Sequence, residues 1–440
     1  MSSVRSHSFG KHAILAAAVL LSSGCHENAV VRVAHHGTLK ELSTSIERLR
    51  QAGPVAKGTL HEIAVAVVER ELAASRDEDL HVAATAVPIE QLGPCARTLG
   101  RILSRRGTLG DDSAGAAQFS RVDAGTMLSD AEWSNLANSP HGWARAAAAL
   151  ASREPSRFYF RQQSLTDEDA RVRRAALLSC IEAPAEEHRS TLVQLLRAAP
   201  DAGSRALAAR ALGVLGGDAA YESLVDAWPG ADTDLRLSIV NAMAQKRSFD
   251  AGGGERLVAF ARSEPGLVGI AAAVSLTKGT APSREAGVAR LTRALNQGST
   301  EELRLAISAA EWRNDEHARA LLRWGLRGEP LVQITALSRW LERPEYVFGA
   351  QLTLRQLSEG ATTSAVLARH VLAEHGDRSI VHALRAQLGY AAADVRSMAA
   401  ADLHRLEDWS SVSRALADDA PRVRLRTACL VLEDAPIDGS

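Results

Sequence analysis

One phrase recurs along the chain and constrains its fold more than any other feature. DEDARVRRAALLSC, beginning at Asp167, is echoed by DAGSRALAARALGVLGG from Asp201 and DTDLRLSIVNAMA from Asp232. ADVRSMAAADL from Ala393 and APRVRLRTACLVL from Ala420 belong to the same set. Aligned on the apolar or small residue before the usual Arg, the copies fall on Trp143, Val172, Ser204, Leu235, Leu267, Leu303, Leu331, Ser364, Val395 and Val423. Nine steps cover 280 residues, a period of about 31. A fixed period of this size marks a repeat architecture, in which a unit buries its apolar face only by stacking on its neighbours. Six copies carry Arg next to the anchor: Arg173, Arg205, Arg236, Arg304, Arg396 and Arg424. Four positions after the anchor stand Ala147, Ala176, Ala208, Ala271, Ala368 and Ala399, with Ile239, Ile307, Thr335 and Thr427 in the others. A compact residue is what a close helix crossing demands.

Each unit reads as two amphipathic helices. Breaks such as Gly216-Gly217, Pro229-Gly230, Gly252-Gly253-Gly254 and Gly376-Asp377 separate them. HRSTLVQLLRAA from His188 and SREAGVARLTRAL from Ser283 are second helices. In the latter, Val288, Leu291 and Leu295 form a helical stripe. Strand alternation is absent. Aromatics are only 4%, so the core is built from Ala, Leu, Val and Ile. A chain of 440 residues is too long for one ordinary core. The expectation is an all-α solenoid of stacked antiparallel helix pairs over residues 130–434.

The D-x-x-x-V-R-x-x-A-A phrase resembles HEAT-like repeats of the short bacterial kind, also seen in phycobiliprotein lyases and many scaffold proteins. The resemblance implies a HEAT/armadillo-like superhelix that binds protein or peptide partners through an extended surface. A lyase-like or chaperone-like enzyme is the alternative it allows. The tetratricopeptide pattern and the ankyrin T-P-L-H phrase are not found.

The N-terminus has a basic start, the apolar run AILAAAVLL and then SSGC. This is an export signal over residues 1–24, too short to span a bilayer as a helix. Leu21-Ser22-Ser23-Gly24-Cys25 resembles a bacterial lipoprotein box, although Leu stands one position earlier than that family prefers. The resemblance implies a lipid anchor on Cys25 and a place in the cell envelope, with the outer membrane favoured by His26. Residues 25–36 are then expected as a tether. Residues 37–129 are expected as a helical region or degenerate repeats with a flexible loop at 107–125, and residues 435–440 as a tail. Cys95, Cys180 and Cys429 are an odd set far apart in sequence, giving no disulfide framework. Cys180 and Cys429 are expected as small buried hydrophobes.

No catalytic phrase is present: no G-x-S-x-G, H-E-x-x-H or phosphate loop occurs. No catalytic residue, metal ligand or cofactor is expected. His370 and His375 are five apart, a poor metal spacing on a helix. They join Trp312, Trp324 and Trp340 as a candidate binding surface in units 303–388. Trp312 and Trp340 each stand nine positions after their anchors, a phase that other units fill with Ile181, Leu276 and Leu432. Core is therefore the simpler reading for both. Arginine numbers 46 against five Lys. The Arg after the anchor is expected to pair with an Asp at the start of its own or a neighbouring unit. Removing Arg5 and Lys11 with the signal leaves 49 basic against 52 acidic groups. No basic excess advertises nucleic acid. The expected partners are envelope proteins or peptides, and no small-molecule substrate is expected.

Overall fold

A computed structural model describes residues 29–73, 127–279 and 281–433, together with 115, 118, 119, 122 and 125. After a helical stretch at 29–36 come α1 (Leu39–Ala52), α2 (Lys57–Ala73) and α3 (Asp130–Ala137). Then come α4 (Gly142–Leu150), α5 (Phe158–Ser164), α6 (Ala170–Glu182), α7 (Arg189–Ala198), α8 (Ala202–Leu215) and α9 (Asp218–Ala227). They are followed by α10 (Thr233–Met243), α11 (Gly254–Ser263), α12 (Gly266–Leu276), α13 (Ala281–Gln297), α14 (Thr300–Ala309) and α15 (Asp315–Arg327). The chain continues through α16 (Pro330–Trp340), α17 (Val347–Leu357), α18 (Thr363–Glu374), α19 (Val381–Gln387), α20 (Ala393–Arg405), α21 (Trp409–Ala415) and α22 (Pro421–Glu433). No strand occurs among the described residues. All ten anchors lie in the even-numbered helices α4 to α22, the first helices of their units. The odd-numbered helices α5 to α21 are the second helices. Chain and period thus agree on an all-α repeat fold.

The repeated phrase starts a helix for a local reason. Asp169, Asp201 and Asp232 stand at the N-caps of α6, α8 and α10, and each carboxylate accepts a backbone N–H of the first turn. The helices then bury a thin, Ala-rich face. Ala147, Ala176, Ala208, Ala368 and Ala399 have no exposed surface. The close crossing reaches backbone contact at Gly213, where a Cβ would lie 2.5 Å from the Ala242 carbonyl oxygen of the next first helix.

Arginines join successive turns. The Nη1 of Arg173 donates to the carbonyls of Asp167 and Glu168 in its own turn, while Nη2 donates to the Asp201 cap of the next unit at 2.8 Å. Arg396 repeats this on Tyr390 and Ala391 and on both carboxylate oxygens of Asp418. Arg145 does the same with Ser139, Pro140 and Asp167. Arg205 reaches the Asp232 cap at 3.5 Å, and Arg424 donates to the carbonyls of Asp418 and Asp419. The expected Arg–Asp pairing is therefore present, and it crosses from one unit to the next. Burial alone would raise the Asp201 carboxyl. Hydrogen bonds from Arg173, Ser204 and Arg174 hold it far below the usual carboxylate range.

The chain divides into two compact units, residues 110–371 and residues 1–109 with 372–440. In the first, the first helices α4, α6, α8, α10, α12, α14 and α16 pack in succession. In the second, α20 packs on α22, and α22 packs in turn on α2. The N-terminal pair therefore sits against the last repeat, with α2 extending the row of first helices and α1 touching the second helix α21.

Three expectations are corrected. Residues 29–36, within the expected tether, are helical and bury Val30 and Ala34, because their apolar residues recur at a four-residue spacing. Within the expected loop at 107–125, Phe119 and Val122 are helical and buried. Phe119 meets the Trp143 ring edge-on at 5.4 Å. Cys429 is disulfide-bonded, whereas Cys180 is free and buried as expected. Residues 1–28, including Cys25, and the 435–440 tail lie outside the described residues.

Replacing Asp201 by Ala removes a helix cap, worth about 1 kcal/mol. It also strips a largely buried guanidinium of its carboxylate, a heavier loss. We expect Asp201→Ala to lower unfolding stability by about 2–4 kcal/mol in urea denaturation. Asp226→Ala breaks the exposed Arg197–Asp226 pair and should cost less than about 1 kcal/mol. Equal losses would contradict a coupling role for the Arg–Asp pairs.

Candidate binding surface

The aromatic residues singled out in the sequence separate into two groups. Trp312 lies in the turn between α14 and α15, and Trp340 ends α16. Tyr346, in the turn before α17, joins them: its ring stacks on Trp312 at 5.5 Å and meets Trp340 at 5.6 Å. The Arg343 guanidinium lies 5.8 Å from the Trp312 ring centre. Trp340 is buried and donates its indole N–H to the Leu321 carbonyl, and Gly325 leaves room for its ring. Trp340 is thus core, while Trp312 is half-buried in the turn. Trp324 stands apart. Its indole N–H donates to the Leu295 carbonyl at 2.8 Å, tying α15 to α13. His370 is half-buried in α18 and His375 exposed just beyond it, and the two fall in different compact units. Among the described residues no group of three or more His, Cys, Asp or Glu could hold a metal ion.

The second helices carry what the aromatic search missed. Leu326 on α15 and Phe348 and Leu352 on α17 are large apolar side chains with 68%, 80% and 50% of their surface exposed. On α17, Ala350 and Leu354 form the buried stripe. Phe348 and Leu352 lie one turn apart on the outer side. The sequence contained the signal: two apolar residues out of phase with the i, i+4 core stripe of their own helix. An exposed apolar pair of this kind, beside the Trp312–Tyr346 turn, can bury apolar side chains of a partner.

A cavity of about 700 Å³ lies in the unit formed by the chain ends. Ser43, Thr44 and Glu47 of α1 face Tyr390, Arg414 and Asp419 across it. Arg396 also lines it but is neutralised by Asp418. The volume is within the range of small-molecule sites, which the sequence reading did not foresee.

The buried reactive groups elsewhere are structural. His188 has no exposed surface. It stacks on Phe158 at 4.3 Å and accepts Arg161 Nε at 2.9 Å through its Nε2. Its Nδ1 therefore carries the proton and donates to Gln162 Oε1. Burial, with the Arg161 charge, brings His188 down to about 4. Burial also lowers Arg161, and pushes the Cys180 thiol up to about 12, which keeps it inert. His317 is fully buried and likewise lowered by burial.

A comparison with protein families is in line with this architecture. The HEAT repeats family matches residues 160–244. A solved crystal structure described as that of an engineered protein is 21% identical, covering 84% of this chain and 98% of that one with a TM-score of 0.26. No curated protein matches the chain.

The buried histidines make stability sensitive to mild acid. The folded His188 value of about 4 lies below the ordinary 6.5. Between these values the unfolded chain binds a proton that the folded chain refuses, so stability falls as pH drops from 7 towards 4. Above pH 7 the group is neutral in both states and contributes no slope. The urea midpoint of the wild type should fall from pH 7.5 to pH 5, and that of His188→Gln should fall less. Parallel curves would remove His188 as a source of the slope.

Proposed function

We propose that this HEAT-type helical-repeat chain is an envelope docking protein. It is lipidated on Cys25 and binds protein partners on the second-helix face around α15 and α17. HEAT repeats generally mediate protein–protein interaction, and stacked helix pairs give a long surface shared by many side chains. The observation that carries the reading is the exposed pair Phe348 and Leu352 beside the Trp312–Tyr346 turn. Export is supported by two independent features, the signal-like N-terminus and a disulfide at Cys429, since disulfides persist in oxidising compartments. No helix among the described residues is long and apolar enough to cross a membrane. A lipid on Cys25 is therefore the attachment this reading requires. A second reading, an enzyme built on HEAT-like repeats, draws on the polar cavity at Tyr390, Arg414 and Asp419.

Two measurements test the first reading. With labelled palmitate, the wild type should carry label and fractionate with membranes, while Cys25→Ala should carry none. Equal label in both would refute the anchor. Crosslinking and affinity capture from membranes should recover the same protein partners reproducibly with the wild type and lose them with Phe348→Ser/Leu352→Ser. Unchanged capture would move the site elsewhere. Capture of nothing, with turnover of a small substrate by the purified chain, would replace docking by the enzyme reading.

A further inference from the structure

Four successive second helices each carry an exposed arginine at a similar place, among other arginines such as Arg284 and Arg319. Arg262 on α11, Arg293 on α13, Arg323 on α15 and Arg355 on α17 are exposed and spaced 31, 30 and 32 residues apart. All four stand in the C-terminal halves of their helices. The acids of these helices, Glu255, Glu285, Asp315 and Glu316, lie nearer the N-terminal ends. Arg327 adds a further exposed charge at the end of α15, next to the exposed Leu326. Among the described residues Arg262, Arg293 and Arg327 make no hydrogen bond or ion pair with the rest of the chain. Arg262 and Arg293 flank a cavity of about 300 Å³ between α11 and α13. Exposed arginines thus cross successive second helices of a chain whose net charge is -1, and Arg355 shares α17 with the exposed Phe348 and Leu352.

Helix-dipole compensation does not account for this placement. A cation in the last turn favours any helix equally. Yet of the ten first helices only α16, with Arg339, and α20, with His404 and Arg405, have a basic residue in their last turn. The second helices α7, α11, α15 and α17 have Arg197, Arg262, Arg327 and Arg355 there. The charges favour the second helices, and on α13 Arg293 stands ahead of the last turn. Neighbouring second helices stand roughly 9–10 Å apart, which an extended polypeptide spans in about three residues.

We infer that the second-helix face of residues 254–357 docks an acidic polypeptide segment, with carboxylates on Arg262, Arg293 and Arg327 and an apolar side chain on Phe348 and Leu352. This deepens the docking reading above and rests on it. A nucleic acid would use the charges but leaves the apolar pair without a purpose.

The test uses the full chain and fluorescence anisotropy with three labelled probes. One is a peptide with Glu at every third position and Phe and Leu between, the second is the same peptide with Lys for Glu, and the third is a single-stranded DNA oligonucleotide. The acidic peptide should bind in the micromolar range and weaken as salt is raised, and the Lys peptide should not bind. Arg262→Glu/Arg293→Glu/Arg327→Glu should weaken the acidic peptide at least about tenfold, roughly 1.4 kcal/mol. The milder Gln triple should fall between the two. All three side chains are exposed, so circular dichroism should be unchanged in both variants. Phe348→Ser/Leu352→Ser should weaken that peptide several-fold. Equal binding of the acidic peptide to wild type and Glu triple, or tighter binding of DNA than of the peptide, overturns the inference. If the Glu triple still captures the membrane partners that the Phe348/Leu352 variant loses, the acidic class is wrong while the docking reading stands.

Discussion

The fold depends on an arginine that serves two turns at once. In Arg145, Arg173 and Arg396 one end of the guanidinium fills the carbonyls of the turn preceding its own helix. The other end grips a carboxylate at the start of the next unit. Where that carboxylate is Asp201, it also caps a helix. Loosening any member thus frees carbonyls, a guanidinium and a helix start together, in a partly buried place where each is costly to leave unpaired. The planar fork of Arg can do this and a Lys ammonium cannot, which gives the excess of 46 Arg over five Lys a physical use.

That constraint is also why so much of the fold was legible. The period exists in the sequence because the units share an anchor, an Arg next to it in six of ten, and Ala or a β-branched residue four positions on. Every anchor therefore landed in a first helix. What the period cannot express stayed hidden. The docking of α2 on α22 joins residues more than three hundred positions apart and repeats nowhere. The helix at 29–36 is too short to show a period, and Val30 and Ala34 there, like Phe119 and Val122 further on, are buried. The bond at Cys429 was missed because cysteine spacing speaks only when the framework is local.

The candidate surface was half legible for a related reason. Trp312 and Trp340 stood out because aromatics are rare here, but rarity does not say whether a ring is core. Trp340 proved to be packing, with its indole N–H spent on the Leu321 carbonyl. The informative residues were ordinary ones in the wrong phase: Phe348 and Leu352 on α17 and Leu326 on α15. First helices pack against two neighbours of their own kind and have little freedom, as Gly213 against Ala242 shows. Second helices bury one stripe and leave the rest to vary. Function in such a chain is therefore to be sought on the odd-numbered helices.

The N-terminal helices also bear on how a lipid could hold the unit they belong to. A repeat stack must cover the apolar face of its last unit. α2 does so for α22, burying Ile63, Ala64, Ala66, Val67 and Val68 completely. The helix at 29–36 begins only four positions after Cys25. Four residues of chain reach at most about 14 Å. An acyl group on Cys25 would therefore not hold the protein on a long flexible leash, as a tether through residue 36 implies. It would hold the start of this buried helix within one short span of the lipid headgroups, and with it the unit into which the N-terminal helices are packed.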